Sequence, residues 1–214
     1  KMINHYKRLK ISFVMILFFT SLVHAQNSQI EEKSVSITFG LNGIDSSLIL
    51  SRAESWFENI NNGEKNVSET FNLENQELIV KGETKVLYKN IGKELYPKRN
   101  GMAEVLDAYF GHLIEVKVGD DFYSITYHVT DMKKEMYGRE EIFYECIDFN
   151  EINEEDLESY NDNMNKLLKA NLVFKKRREI FMENSKSQFE EVSNFLLNEG
   201  EVNIFSINEA ITNE

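Results

Sequence analysis

An α+β fold is predicted by three stretches of this sequence: an alternating hairpin from His112 to Val129, a helical stripe from Ile49 to Ile60 after a short strand, and an acidic-headed helical segment beyond residue 150. The expected order is β-α-β-β-β-β, an antiparallel sheet with a helix packed on one face, then a long C-terminal helical segment. Four parts follow: residues 1–25 as a leader, 26–150 as the α+β domain, 151–200 as a helical extension and 201–214 as a flexible tail.

The hairpin sets the register. Ile114, Val116 and Val118 are the apolar even positions of its first run, and Tyr123, Ile125, Tyr127 and Val129 the apolar odd positions of its second. Side chains alternate across a strand, so both apolar sets share one face only in certain registers. A two-residue loop at Gly119-Asp120 places Val116 opposite Tyr123, Ile114 opposite Ile125 and His112 opposite Tyr127. The other face then carries Leu113, Glu115 and Lys117 against Phe122, Ser124, Thr126 and His128. One face is core and the other is wet.

Lys1, Lys7, Arg8 and Lys10 precede an apolar run from Ile11 to Val23, and Val23-His24-Ala25 supplies a cleavage pattern before Gln26. This is the pattern of a secretory signal peptide, with an apolar run too short to span a bilayer as a helix. A buried N-terminal helix is the competing reading, and the basic flank and cleavage pattern argue against it. Export to the periplasm or medium is expected, without a lipid anchor, since no Cys follows the site. Removing 1–25 takes away four positive charges and no acid, moving the formal charge from −12 to −16. Such acidity disfavours nucleic acid as a partner. Cys146 is the only cysteine, so stability comes from packing, and the residue reads as a small buried hydrophobe.

Along the mature chain, residues 26–33 are polar and read as a disordered or extended lead-in. Val35, Ile37 and Phe39 alternate as a half-buried strand, and Asp45 is a plausible N-cap for a helix whose stripe is Ile49, Ala53, Trp56 and Ile60. Asn61-Asn62-Gly63 stops that helix, and Trp56 reads as an anchor between helix and sheet. Residues 68–73 and 78–88 read as a second hairpin pairing Leu73 with Leu78 and Phe71 with Val80. Gly82 inside it marks a bulge or a close backbone approach. Residues 89–108 form a long connection with a helical turn at Met102 to Leu106, and connections this long are often functional.

Three pieces resemble a known family: L-I-L-S-R-A-E-S-W-F-E-N-I, E-L-I-V-K-G-E-T and I-E-V-K-V-G-D-D-F-Y-S-I-T. They are similar, over roughly residues 33–135, to exported bacterial proteins classed as a domain of unknown function with a TATA-binding-protein-like fold. The segment Lys117-Val118-Gly119-Asp120-Asp121-Phe122 departs from the Lys-Asp-Gly type of turn common in that group. The resemblance implies a curved sheet backed by helices. It implies no activity, and sharing a fold with a DNA-binding protein does not imply DNA binding.

Beyond Met136, Ile142 to Phe149 reads as a last strand with Ile142, Tyr144 and Cys146 on one face. Asn153 caps a helix headed by Glu154-Glu155-Asp156, the charge a helix N-terminus favours. One unbroken helix over 154–199 would run about 69 Å at 1.5 Å per residue, too long for a small domain. A break near Asn184-Ser185 giving a helical pair, or intermolecular packing of the exposed part, is therefore expected, with the helical pattern ending at Gly200.

No catalytic or cofactor motif is legible: no GxSxG, no P-loop, no GxGxxG and no HExxH. His112 and His128 point to opposite faces, which argues against a shared metal site. The leading expectation is an exported, non-catalytic binding or assembly module of the cell envelope. It would meet another envelope protein through the wetter sheet face (Glu115, Lys117, Ser124, Thr126, His128), or self-associate through the C-terminal helices. The alternative is a hydrolase-like envelope enzyme with carboxylates under the 89–108 loop. No cofactor is expected. The basic run Lys175, Lys176, Arg177 and Arg178 reads as a solvated helical face, or as a contact for anionic headgroups or an acidic partner.

Overall fold

Among the described residues, six strands form one antiparallel sheet, and the helices pack on one of its faces. The computed structural model describes residues 25–60, 68–72, 76–134 and 140–213; the leader and the stop at Asn61-Asn62-Gly63 lie outside them. The elements are β1 (Ala25–Glu31), β2 (Ser34–Gly40), α1 (Ser46–Ile60), β3 (Ser68–Asn72), β4 (Glu77–Lys89), α2 (Ile91–Leu95), β5 (Val105–Val118), β6 (Phe122–Lys134), α3 (Glu140–Glu145), α4 (Glu154–Ala170) and α5 (Lys175–Thr212). The spatial order is β1-β2-β6-β5-β4-β3. The expected α+β architecture is present, with a strand gained at the N-terminal edge. Residues 25–31, expected as a lead-in, are an edge strand paired with β2. Asn27, Ser28 and Gln29 are exposed there, so no apolar alternation announces the strand.

The two faces fall where the alternation puts them. Ile114, Val116, Val118, Tyr123, Ile125, Tyr127 and Val129 are all buried beside Val35, Ile37 and Phe39. The register itself is corrected by two residues. Val118 pairs with Tyr123, Val116 with Ile125 and His112 with Val129, because the turn spans three residues and Gly119 N donates to Phe122 O at 2.7 Å. An even shift preserves the faces, which is why the core assignment survives it. The β3–β4 hairpin shows the same offset, with Phe71 opposite Leu78 and Glu69 opposite Val80.

Two segments adopt a different structure from the expected one. Residues 105–110 extend β5 rather than forming a helical turn, with Leu106, Ala108 and Phe110 buried on alternate positions. Residues 140–145 form helix α3, not a last strand, and the side chains it buries are Phe143, then Cys146 and Ile147 just past its end. Their spacing of three and four is helical, and it competes with the period-two pattern of Ile142, Tyr144 and Cys146.

The expected helix break is also displaced. Asn153 caps α4, accepting from Glu155 N at 2.9 Å and Asp156 N at 3.4 Å. The helix ends at Ala170, and Leu172 adopts φ 58. Val173 N donates to Leu168 O at 2.9 Å and Leu172 N to Lys169 O at 3.0 Å, the paired bonds of a Schellman ending. Ser185 lies mid-helix and fully buried, its hydroxyl 2.8 Å from Asn161 Oδ1 and from Met182 O. It is a packing contact between α4 and α5, not a break.

Helix α5 then runs 38 residues to Thr212. The expected flexible tail is therefore helix and core. Ile204, Ile207 and Ile211 are fully buried, each contributing about 1.5–3 kcal/mol if exposed otherwise. Asn208 accepts from the Tyr123 hydroxyl at 2.6 Å, Ser206 Oγ accepts from Trp56 Nε1 at 3.0 Å, and Ile211 O accepts from the Arg52 guanidinium at 2.5 Å. Trp56 thus ties α1 to α5 while packing against the core. Gly200, read from sequence as a stop, sits mid-helix where α5 crosses the sheet. A Cβ there would lie 2.6 Å from Tyr127 Cδ1 and 3.0 Å from Val35 Cγ1.

Gly82 shows the close approach its position suggests. A Cβ on it would meet His112 Nε2 at 2.5 Å. The His112 ring lies 5.1 Å from that of Tyr127, and its Nδ1 is 3.0 Å from Thr84 Oγ1. Burial holds its pKa down at about 4, against an ordinary 6.5.

Two outcomes follow from this packing. In an isolated helix, glycine to alanine stabilises by about 1 kcal/mol. Gly200→Ala is expected instead to destabilise by about 1–3 kcal/mol, since the added methyl overlaps the Tyr127 ring; urea unfolding reads the sign directly. For His112, the unfolded chain takes up a proton near pH 6.5 and the folded chain only near pH 4. Its contribution is whole above pH 6.5 and declines as pH falls toward 4. Between pH 7 and 4.5 the native protein should lose about 2–3 kcal/mol more than His112→Phe. Equal losses in the two proteins would remove His112 from the acid response.

Candidate functional site

The structure offers an open sheet face and an apolar cleft, on opposite sides of the sheet. The open face brings together every residue expected there. Glu115 pairs with Thr126, Lys117 with Ser124 and Leu113 with His128, while Ser34, Ser36 and Thr38 extend the surface on β2. The described helices pack on the other face, so this one faces solvent. Cross-strand partners already occupy much of it: Lys117 lies 3.9 Å from Glu77, Lys85 lies 3.3 Å from Asp107, and the Thr126 hydroxyl donates to Ser36 Oγ at 2.9 Å. Its strongest electrostatic feature is the Glu115 carboxyl, pushed above the usual range. A hydrogen bond with Glu77, burial and the Glu77 charge raise it, and Lys117 opposes them.

Two carboxyl groups therefore do meet, but not under the 90–104 connection. Glu77 and Lys89 are the two ends of β4, twelve residues apart, or about 40 Å at 3.3 Å per residue. The connection follows Lys89, at the far end of the strand. Among the described residues, no hydrogen bond or ion pair joins His128 to an acid. The geometry expected of a carboxylate site beneath a loop is absent from the described residues.

What the connection does cover is a cavity of about 500 Å³ between α2, α4 and the first half of α5. Tyr88 and Leu106 form its floor at the ends of β4 and β5. Phe143, Tyr160, Met164 and Phe181 contribute much of the apolar wall, and Asn90, Asn171 and Gln188 the polar points. None of its lining residues is acidic, and Arg99 is the one charged residue. The polar groups are held in fixed positions. Asn90 Nδ2 donates to Ala103 O at 2.8 Å, which pins the connection, and Gln188 Nε2 donates to Lys89 O at 2.9 Å, which ties α5 to β4. The Arg177 guanidinium stacks 4.3 Å over Tyr96 at the rim. A site of this size, with apolar walls and a few fixed polar groups, is suited to binding.

The basic run divides. Lys175 pairs with Glu179 at 3.6 Å, Arg177 rests on Tyr96, and Arg178 donates to Asn165 Oδ1 at 2.8 Å and Val173 O at 2.6 Å. Lys176 is exposed and makes no ion pair among the described residues. Cys146 is buried, and burial pushes its thiol up to about 12, so it is no nucleophile. Among the described residues, no cluster of His, Cys, Asp and Glu has metal-binding geometry.

Sequence reasoning missed the cleft. Met164, Leu167 and Leu168 recur at helical spacing, a pattern that a core and a cavity wall share. Asn90, Arg99 and Gln188 carry no local signal, since tertiary packing alone brings them together. The long connection was the one available pointer.

No family model matches the chain, and no curated protein does. Among solved structures it is similar to a TBP-like protein from Parabacteroides distasonis, at 10% identity and a TM-score of 0.42, covering 84% of this chain and 92% of that one. It is also similar to a DUF4468 family protein from Bacteroides ovatus, at 10% identity and a TM-score of 0.37, covering 47% of this chain and 55% of that one. Both are bacterial proteins, one described as TBP-like and the other as a member of a family of unknown function.

Proposed function

We propose that this chain is an exported, non-catalytic binding module whose ligand seat is the cleft between α2, α4 and α5. One observation carries the reading: a cavity of about 500 Å³ with aromatic and aliphatic walls, no acid in its lining and polar groups already held by backbone partners. Such a lining rewards an apolar body through water release, and it supplies no nucleophile–base pair for bond cleavage. The leader-like N-terminus motivates export to the envelope. The open sheet face is the weaker candidate, because its charges largely satisfy one another across the strands.

The test is saturable binding of an apolar fluorescent probe such as anilinonaphthalene sulfonate. The protein is expected to bind it one to one and to melt at a higher temperature in its presence. Met164→Trp, filling the cleft, should weaken binding by about tenfold or more, a loss of about 1.4 kcal/mol, while the far-UV spectrum stays native. Unsaturable binding, or binding indifferent to Met164→Trp, would contradict the proposal.

A further inference from the structure

The corner between α4 and α5 departs from what a stable turn would choose in three ways. Leu172 occupies the left-handed position of the Schellman ending at φ 58, where glycine is free of strain, and it is 87% exposed. Phe174, 76% exposed, stands at the N-cap of α5 and makes no side-chain capping bond. Lys175, Lys176, Arg177 and Arg178 fill the first turn of α5, where the helix dipole disfavours cations and no acid is present. Arg177 and Arg178 have partners on Tyr96, Asn165 and Val173, but neither packing nor backbone preference accounts for the exposed Leu172, Phe174 and Lys176.

Charge singles out the same corner. Residues 163–178 contain six basic side chains (Lys166, Lys169 and the four above) and no acid, in a chain of net charge −12. Two large apolar side chains at the tip of a basic knob form the pattern of a surface that enters the headgroup layer of an anionic bilayer. The apolar pair reaches the acyl boundary and the lysines meet the lipid charge. We infer that the α4–α5 corner docks this protein on anionic membrane, with Leu172 and Phe174 inserted and Lys175 and Lys176 against the headgroups. Asn171 and Val173 of the same turn line the cleft, so docking sets the cleft beside the bilayer surface. The inference does not depend on the cleft's own ligand.

The experiment is flotation of a chain beginning at Ala25, which retains every described strand and helix. The vesicles are phosphatidylcholine alone, or phosphatidylcholine with phosphatidylglycerol. Binding is expected to the anionic vesicles only. Lys175→Gln with Lys176→Gln should reduce it about thirtyfold, at about fivefold per surface lysine. Leu172→Gly is the discriminating variant. It relieves the left-handed strain, so the melting temperature should hold or rise while vesicle binding falls. Leu172→Gly with Phe174→Ser should lower it further. Equal flotation with neutral and anionic vesicles would overturn the inference. So would full binding to anionic vesicles by the Leu172→Gly, Phe174→Ser variant with loss only in the lysine variant, which would mark a purely electrostatic contact without insertion.

Discussion

The contact of Gly200 with the Tyr127 ring and Val35 is the constraint on which the rest of the fold depends. With no Cβ in the way, the α5 backbone comes close enough to the sheet for its C-terminal half to bury Ile204, Ile207 and Ile211. That approach brings Asn208 within reach of Tyr123, Ser206 within reach of Trp56, and Ile211 O within reach of Arg52. Helix α1 is held against α5 by the last two bonds. The other half of α5 is thereby aimed along the sheet toward the ends of β4 and β5. There it meets α4 and the 90–104 connection and closes the cleft.

Period and spacing were legible where one face of an element is buried and the other wet. The hairpin faces at Ile114 to Val129 follow from strict alternation, and they survive a two-residue error in loop length because an even slip returns each side chain to its face. The register itself was not legible, since the three-residue turn at Gly119 depends on a hydrogen bond to Phe122 O that composition does not announce. The helix break was hidden for a related reason. A Schellman ending is normally marked by glycine, and here Leu172 takes that position. Gly200 misled in the opposite direction, since a glycine near a helix end reads as a cap, while this one serves a helix–sheet contact.

The cleft and the corner draw on the same few residues. Asn171 and Val173 face the cavity, and Leu172 and Phe174, between and beside them, face solvent. A turn that alternates in this way sets the two surfaces side by side. The sheet's open face plays a quieter part. Its ladder of Lys85 with Asp107, Lys117 with Glu77 and Thr126 with Ser36 keeps a broad polar surface solvated and blunts it against pairing with another sheet. The edge strand β1 serves the same end with exposed Asn27, Ser28, Gln29 and Glu31, and it also exposes Ile30.

The C-terminal half of α5 is core, not tail. Native-state hydrogen exchange tests it most directly, because amide protection reports the free energy of the opening that releases each proton. Amides from Ile204 to Ile211 are expected to exchange only through global unfolding, with protection equal to that of Ile125 and Tyr127 in β6. Fast exchange of residues 201–212 with the sheet still protected would show a frayed tail, and the organising role given to Gly200 would be wrong.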